Sequence, residues 1–182
     1  NPILFAPSSK STPNAIKNIL ILGGSLGAKK INQTIPTIKT HLNIWHQTGE
    51  KHLTEVKALY ADSMHSDVKI DAFIDNMAEA YAWADLVISR AGAMTVSELI
   101  ASKTIAILVP FPYAIDNHQT VNAEHLSKNG AGIIIQEDSF SGEIIDKELL
   151  ALDSLKIHEM TKKLELLSVP SPEKIIADYL LC

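Results

Sequence analysis

Cysteine is almost absent from this chain: Cys182, the last of 182 residues, is the only one, so an intrachain disulfide is impossible. That usage fits a reducing compartment. Metal-ligand spacing is missing as well. Seven histidines are present, yet none form an HxxxH pair and no D-x-D occurs, which removes the usual zinc and divalent-cation signatures. There is no G-x-S-x-G turn, so a nucleophilic triad has no anchor. The apolar runs are short: residues 19–22 and 105–109 fall far below the roughly 20 residues a membrane-spanning helix needs. The opening, NPILFAPSSKSTPN, is polar and proline-rich where a signal peptide would carry an apolar stretch. Basic residues are the minority, 16 Lys and Arg against 21 Asp and Glu, which disfavours a general nucleic-acid binder. Internal repeats and low-complexity tracts are also lacking.

What is present is enough for a core. Apolar residues make up 46% of the chain, sufficient for one domain of this length without disulfide or metal. Residues 1–18 read as a linker, with Pro2, Pro7 and Pro13 among Ser, Lys and Asn. The missing initiator Met suggests a domain of a longer polypeptide. From there, compact apolar runs alternate with amphipathic stretches. Strands are expected at 18–22, 43–47, 68–74, 85–88, 104–112 and 131–136. Helices are expected at 28–39, 51–60, 77–83, after residue 94, and at 116–130, 141–150, 154–167 and 172–181. Ile31, Ile35 and Ile38 should face the sheet, and Leu53, Val56 and Leu59 should share one helical face. Pro110 and Pro112 end the fifth strand, because proline cannot donate to a sheet ladder. The alternation predicts an α/β, Rossmann-like fold: a doubly wound parallel sheet of about six strands with helices at its C-terminal end.

Ligands bind such sheets at the carboxyl ends of the strands, and three polar loops fall there. The first is GGSLG. Its glycines, at 23, 24 and 27, match neither the dinucleotide fingerprint nor the P-loop, but a strand running through Gly23, Gly24 and Ser25 into a helix is a phosphate loop in outline. A small-residue turn kept for packing explains it equally. The second is the stretch 84–98, ADLVISRAGAMTVSE, where Ser89, Ala91, Gly92 and Ala93 let a ligand approach the backbone. The helix behind it would aim unpaired N–H groups and a positive dipole end at an anion. Thr95 and Glu98 fit a capping box, and Glu98 equally fits a ribose-binding carboxylate. Arg90 could pair with phosphate or hold its own loop. The third loop is PFPYAIDNHQ. Asp116 and Gln119 again read as a cap, which leaves Asn117 and His118 for sugar hydroxyls. Phe73, Ile74 and Met77 form an apolar shelf beside the same rim: core packing, or cover for a nucleobase.

Four collinear stretches carry a resemblance: GGSLGAKKINQTIP, IWHQTG, FIDNMAEAYAWADLVISRAGAMTVSE and PFPYAIDNHQTVNA. In this order they resemble the C-terminal, donor-binding domain of the MurG family, N-acetylglucosaminyltransferases of GT-B architecture (glycosyltransferase family 28) that complete lipid II in peptidoglycan synthesis. The resemblance runs from about Ile19 to Gly132 and more loosely onward. It implies that residues 19–168 bind UDP-N-acetylglucosamine and that residues 169–182 form a helix crossing to an N-terminal domain. Gly24 and Ser25 would face the donor phosphates. Ile74, with Phe73 beside it, would contact uracil, and Arg90, Ala93, Met94 and Thr95 would line diphosphate and sugar. Glu98 would bind the ribose, and His118 and Gln119 the N-acetylglucosamine.

No cofactor or metal is implied. The general base, the lipid I acceptor site and the patch that seats the family on the inner face of the cell membrane belong to the N-terminal domain, so these residues alone should bind donor and turn over little. Three other readings are a separate donor subunit of a two-chain transferase, a sugar-nucleotide epimerase of similar architecture, and a non-catalytic nucleotide-binding module.

Overall fold

The computed structural model describes residues 12–24, 27–65, 67–113 and 117–168. Among them, β1 (Asn18–Leu22), β2 (Asn43–Gln47), β3 (Val68–Asp71), β4 (Leu86–Ser89), β5 (Ile105–Leu108) and β6 (Gly132–Ile134) form one sheet. Its order is β3-β2-β1-β4-β5-β6, and every neighbouring pair is parallel. Parallel strands covered on both faces must be apolar at every position rather than at alternate ones. The middle of the sheet obeys this: Leu20, Ile21, Leu86, Val87, Ile88, Ala106, Ile107 and Leu108 are all fully buried.

Helices α1 (Lys29–Thr34), α2 (Leu53–Ala61), α3 (Met77–Trp83), α4 (Ala93–Ser102) and α5 (His118–Lys128) are the crossovers, followed by α6 (Gly142–Leu150) and α7 (Ser154–Leu167). From β1 the chain winds outward through β2 to β3, then returns to β4 and winds the other way. The reversal opens a crevice at the carboxyl ends of β1 and β4. The chain entering β1 is fastened there: the Lys17 and Asn18 N–H groups donate to Asp85 Oδ2 at 3.0 and 2.8 Å.

Several elements differ from the sequence expectation. Ile31, Ile35 and Ile38 are buried as expected, but the helix predicted over 28–39 tightens to a 3-10 turn at Ile35–Thr37, with Pro36 near its start. In α2 the buried pair is Val56 and Tyr60, whereas Leu59 is exposed. The Tyr60 hydroxyl finds a polar partner inside, and that outweighs the simple apolar count. β3 stops at Asp71, and β5 stops at Leu108 rather than running to residue 112. The helix predicted at 172–181 lies outside the described residues.

The partner of Tyr60 is His46, whose side chain is fully buried. Tyr60 Oη lies 2.9 Å from His46 Nδ1, and His46 Nε2 lies 3.0 Å from Asn32 Oδ1. Asn32 Nδ2 donates onward to the Thr48 carbonyl at 3.0 Å. The amide oxygen can only accept, so His46 donates from Nε2 and accepts the Tyr60 proton at Nδ1. Burial of the ring pushes the His46 pKa down to about 3. This relay joins α2, β2, α1 and the turn after β2, and it fixes the floor beneath the β1 loop.

Candidate functional site

A cavity of about 830 Å³ fills the crevice. Its first wall is the turn from β1 into α1. Gly27 sits at φ +76°, and a Cβ there would lie 2.5 Å from the Thr48 carbonyl oxygen and 2.6 Å from His52 Cδ2. Only glycine fits, because the backbone is both left-handed and pressed against the β2 turn. Gly24, at φ +72°, faces open space instead. The Gly23 N–H donates to Gln47 O at 3.1 Å, which ties the loop to β2. Ser25 lies outside the described residues.

The second wall is the β4–α4 turn. Helix α4 begins at Ala93 with Gly92 as its N-cap, and no side chain caps it. Thr95 is therefore already inside the first turn and Glu98 one turn further on, so the predicted capping box does not form. The N–H groups of the first turn have no intrahelical acceptor, and the positive end of the dipole points into the cavity that Gly92, Met94, Thr95 and Glu98 line. Glu98 is half-buried, and its Oε2 accepts a hydrogen bond from the Tyr81 hydroxyl at 2.9 Å.

Arg90 also lines the cavity. Its Nη1 donates to the carbonyls of Val109 and Pro110 at 3.1 and 3.4 Å, and its Nη2 pairs with Glu137 Oε2. The guanidinium lies over Phe111, 5.2 Å from the ring centroid. Arg90 thus clasps the strap after β5 to the turn after β6.

The third wall comes from that strap and α5. Gln119 Oε1 accepts the Phe111 N–H at 3.0 Å, and Asn122 Nδ2 donates to the Ala91 carbonyl at 3.0 Å. Gln119 is therefore engaged with the strap rather than with a cap. The helix starts at His118, after Asn117 in the left-handed region at φ +56° with no side-chain cap. Asp116 lies outside the described residues.

Of the residues singled out in the sequence, Gly23, Gly24, Gly27, Phe73, Met77, Arg90, Gly92, Met94, Thr95, Glu98 and Gln119 share this cavity. Ala93 and the exposed His118 sit beside it without lining it, and buried Ile74 opens on a second hollow of about 240 Å³. Phe73, 60% exposed, walls both hollows. Lys29, Lys30, Gln47, His52, Phe111 and Glu137, not singled out from the sequence, also line the cavity. The Lys pair follows GGSLG after one alanine, and Gln47 and Phe111 lie in the quoted IWHQTG and PFPYAIDNHQ stretches; Glu137 arrives from the far side of β6 and left no signal. Among the described residues no group of three or more His, Cys, Asp or Glu gathers to hold a metal, and no helix is long and apolar enough to cross a membrane.

A doubly wound parallel sheet thus brings a glycine-rich turn, an uncapped helix N-terminus and a carboxylate together at its strand reversal. Comparison with known proteins narrows the class. The glycosyltransferase family 28 C-terminal domain matches residues 18–174, and the chain belongs to that family. It is 48% identical over 181 residues to the UDP-N-acetylglucosamine--N-acetylmuramyl-(pentapeptide) pyrophosphoryl-undecaprenol N-acetylglucosamine transferase of Vesicomyosocius okutanii subsp. Calyptogena okutanii, covering 100% of this chain and 52% of that protein. With the same transferase of Methylococcus capsulatus it is 44% identical over 162 residues, 86% of this chain and 44% of the relative. Among solved structures it is similar to Acinetobacter baumannii MurG, with a TM-score of 0.80 and 37% identity over 92% of this chain and 50% of that one. The chain spans about half the length of the relatives it matches.

Proposed function

We propose that this chain is the donor-binding half of an inverting glycosyltransferase that holds UDP-N-acetylglucosamine while its sugar passes to lipid I, forming lipid II. The observation that carries this reading is the convergence of Gly24, the α4 N-terminus, Glu98 and Gln119 on one cavity. A nucleoside diphosphate sugar needs just these groups: close backbone approach and N–H donors for phosphate, a carboxylate for the ribose diol, and an amide for the sugar. The names of the relatives, UDP-N-acetylglucosamine-dependent transferases, supply the identity of base and sugar.

In the reaction, the C4 hydroxyl of the acceptor sugar attacks the anomeric carbon, the glycosidic bond to UDP breaks, and the hydroxyl proton leaves to a base. Negative charge grows on the departing diphosphate. The N–H groups of the first α4 turn and the helix dipole are already oriented toward it, and a preorganised donor of this type lowers a barrier by about 3 kcal/mol. The base, the lipid I site and the membrane-seating surface belong to an N-terminal partner domain. The whole enzyme would then sit on the cytoplasmic face of the membrane through that domain.

Calorimetric titration with UDP-N-acetylglucosamine, UDP-glucose, UDP and NADH tests the reading, repeated on Glu98→Ala. The N-acetylglucosamine nucleotide should bind best, and Glu98→Ala should weaken every uridine ligand. Equal binding of all four, or an indifferent Glu98→Ala, would falsify the donor site.

A further inference from the structure

Glu98 does not face the cavity as a free side chain. Its Oε2 is taken by the Tyr81 hydroxyl at 2.9 Å. Tyr81 belongs to α3 and is 1% exposed, among the most deeply buried large side chains of the domain. Burial and the adjacent carboxylate of Glu98 raise the Tyr81 pKa far above its ordinary value, so the phenol stays protonated and donates. A neutral phenol has one proton to give. Given to Oε2, it fixes one carboxylate oxygen and leaves Oε1 as the acceptor for whatever enters the cavity that Glu98 lines. A glutamate on an exposed helix face would have three free torsions. Here the far end is held by a ring that the core cannot let move.

We infer that Tyr81 is the positioning residue of the donor site: it pre-orients the Glu98 carboxylate for the two ribose hydroxyls of a uridine nucleotide, and so sets the preference for a ribonucleotide over a ligand lacking that diol. The inference rests on the donor-site reading above. Tyr81 touches no ligand itself. It acts by removing the ordering cost that Glu98 would otherwise bear on binding, which for one long side chain corresponds to about a 3- to 10-fold change in affinity.

The test is a double-mutant cycle on the full 182-residue chain, with UDP and 2′,3′-dideoxy-UDP as probes and calorimetry as the readout. Tyr81→Phe keeps the ring and deletes only the hydroxyl. It should weaken UDP by about 3- to 10-fold and leave 2′,3′-dideoxy-UDP unchanged. In the Glu98→Ala background it should cost nothing further for either probe. A purely structural role would lower both affinities together and add to Glu98→Ala, and that result overturns the inference. Failure of Glu98 and failure of Tyr81 give different results. A parent chain that binds both nucleotides equally overturns the ribose role of Glu98, and with it this inference, before any variant is made. A parent that discriminates, with a Tyr81→Phe variant that discriminates just as well, overturns the role of Tyr81 alone.

Discussion

Arg90 and Glu137 are ion-paired across the carboxyl end of the sheet, with 16% and 20% of their side chains exposed. They stand on opposite sides of the strap after β5, and Arg90 also donates to the carbonyls of Val109 and Pro110. The guanidinium is therefore largely spent on holding the cavity wall together, and its charge is already matched.

Two effects of opposite sign follow for Glu137→Gln. Loss of the pair should destabilise the fold by about 1 kcal/mol, since the site is neither fully exposed nor fully buried. Removal of a carboxylate from the cavity wall should tighten UDP by about 2- to 5-fold, because an anion no longer faces an anion and Arg90 is freed toward it. Urea unfolding and calorimetry on the same preparation read both. Weaker UDP binding in Glu137→Gln would mean that Arg90 needs Glu137 for its aim more than it suffers from its charge.

The two left-handed glycines of the β1 loop should respond very differently to alanine. At Gly24 the added methyl meets nothing within 4 Å, so Gly24→Ala carries only the backbone penalty, about 1 kcal/mol. At Gly27 the same methyl collides with the Thr48 carbonyl and the His52 ring. Gly27→Ala should cost about 3 kcal/mol or more and displace the loop from the floor that Asn32 and His46 support. Equal melting temperatures for the two variants would refute this geometry.

His46 makes the fold acid-sensitive in a definite window. Its pKa falls from 6.5 when unfolded to about 3 when folded, so the unfolded chain holds the extra proton between those values. Stability from this group is complete above pH 6.5 and is lost as pH falls toward 3, by about 1.4 kcal/mol per pH unit. His65 and Asp146, both also lowered, act in the same direction. Denaturant unfolding at pH 7, 6 and 5 should show the slope, and the His46 ring resonances should stay those of a neutral imidazole down to pH 5. A titration of His46 near 6.5 would remove it as the cause.

Much of this architecture was legible because parallel strands buried on both faces have only one way to be written. Runs such as Asn18–Leu22 and Leu86–Ser89 carry no polar alternation, and the amphipathic stretches between them form the crossover helices. Of these, α3 opens on Asn76, whose side chain accepts the Glu79 N–H. The site was legible in outline for the same topological reason: glycine-rich and polar turns must gather at the strand reversal. What sequence could not supply is who holds whom. Thr95 and Glu98 have the spacing of a cap, but Gly92 starts the helix three residues earlier, and Glu98 turns to Tyr81 instead. Gln119 has the spacing of a cap and turns to the Phe111 N–H. The Arg90–Glu137 pair joins residues on different loops, and no local pattern announces it.

Gln119 gives the sharpest separation between a sugar-nucleotide site and a plain nucleotide site. With Oε1 occupied by the Phe111 N–H, its amide N–H₂ is the part left for a ligand in the cavity it lines. If the N-acetylglucosamine lies against this strap, Gln119→Ala should weaken UDP-N-acetylglucosamine by about 5- to 10-fold, the value of one well-placed hydrogen bond and a steadier strap. Binding of UDP, which lacks the sugar, should hardly change. The fold should lose no more than about 1 kcal/mol, since the Phe111 N–H is close enough to solvent to be rehydrated. Comparing the two ligands on one variant removes the stability effect from the measurement. An equal loss for both would place Gln119 under the diphosphate, and no loss for either would favour a module that reads only the nucleotide.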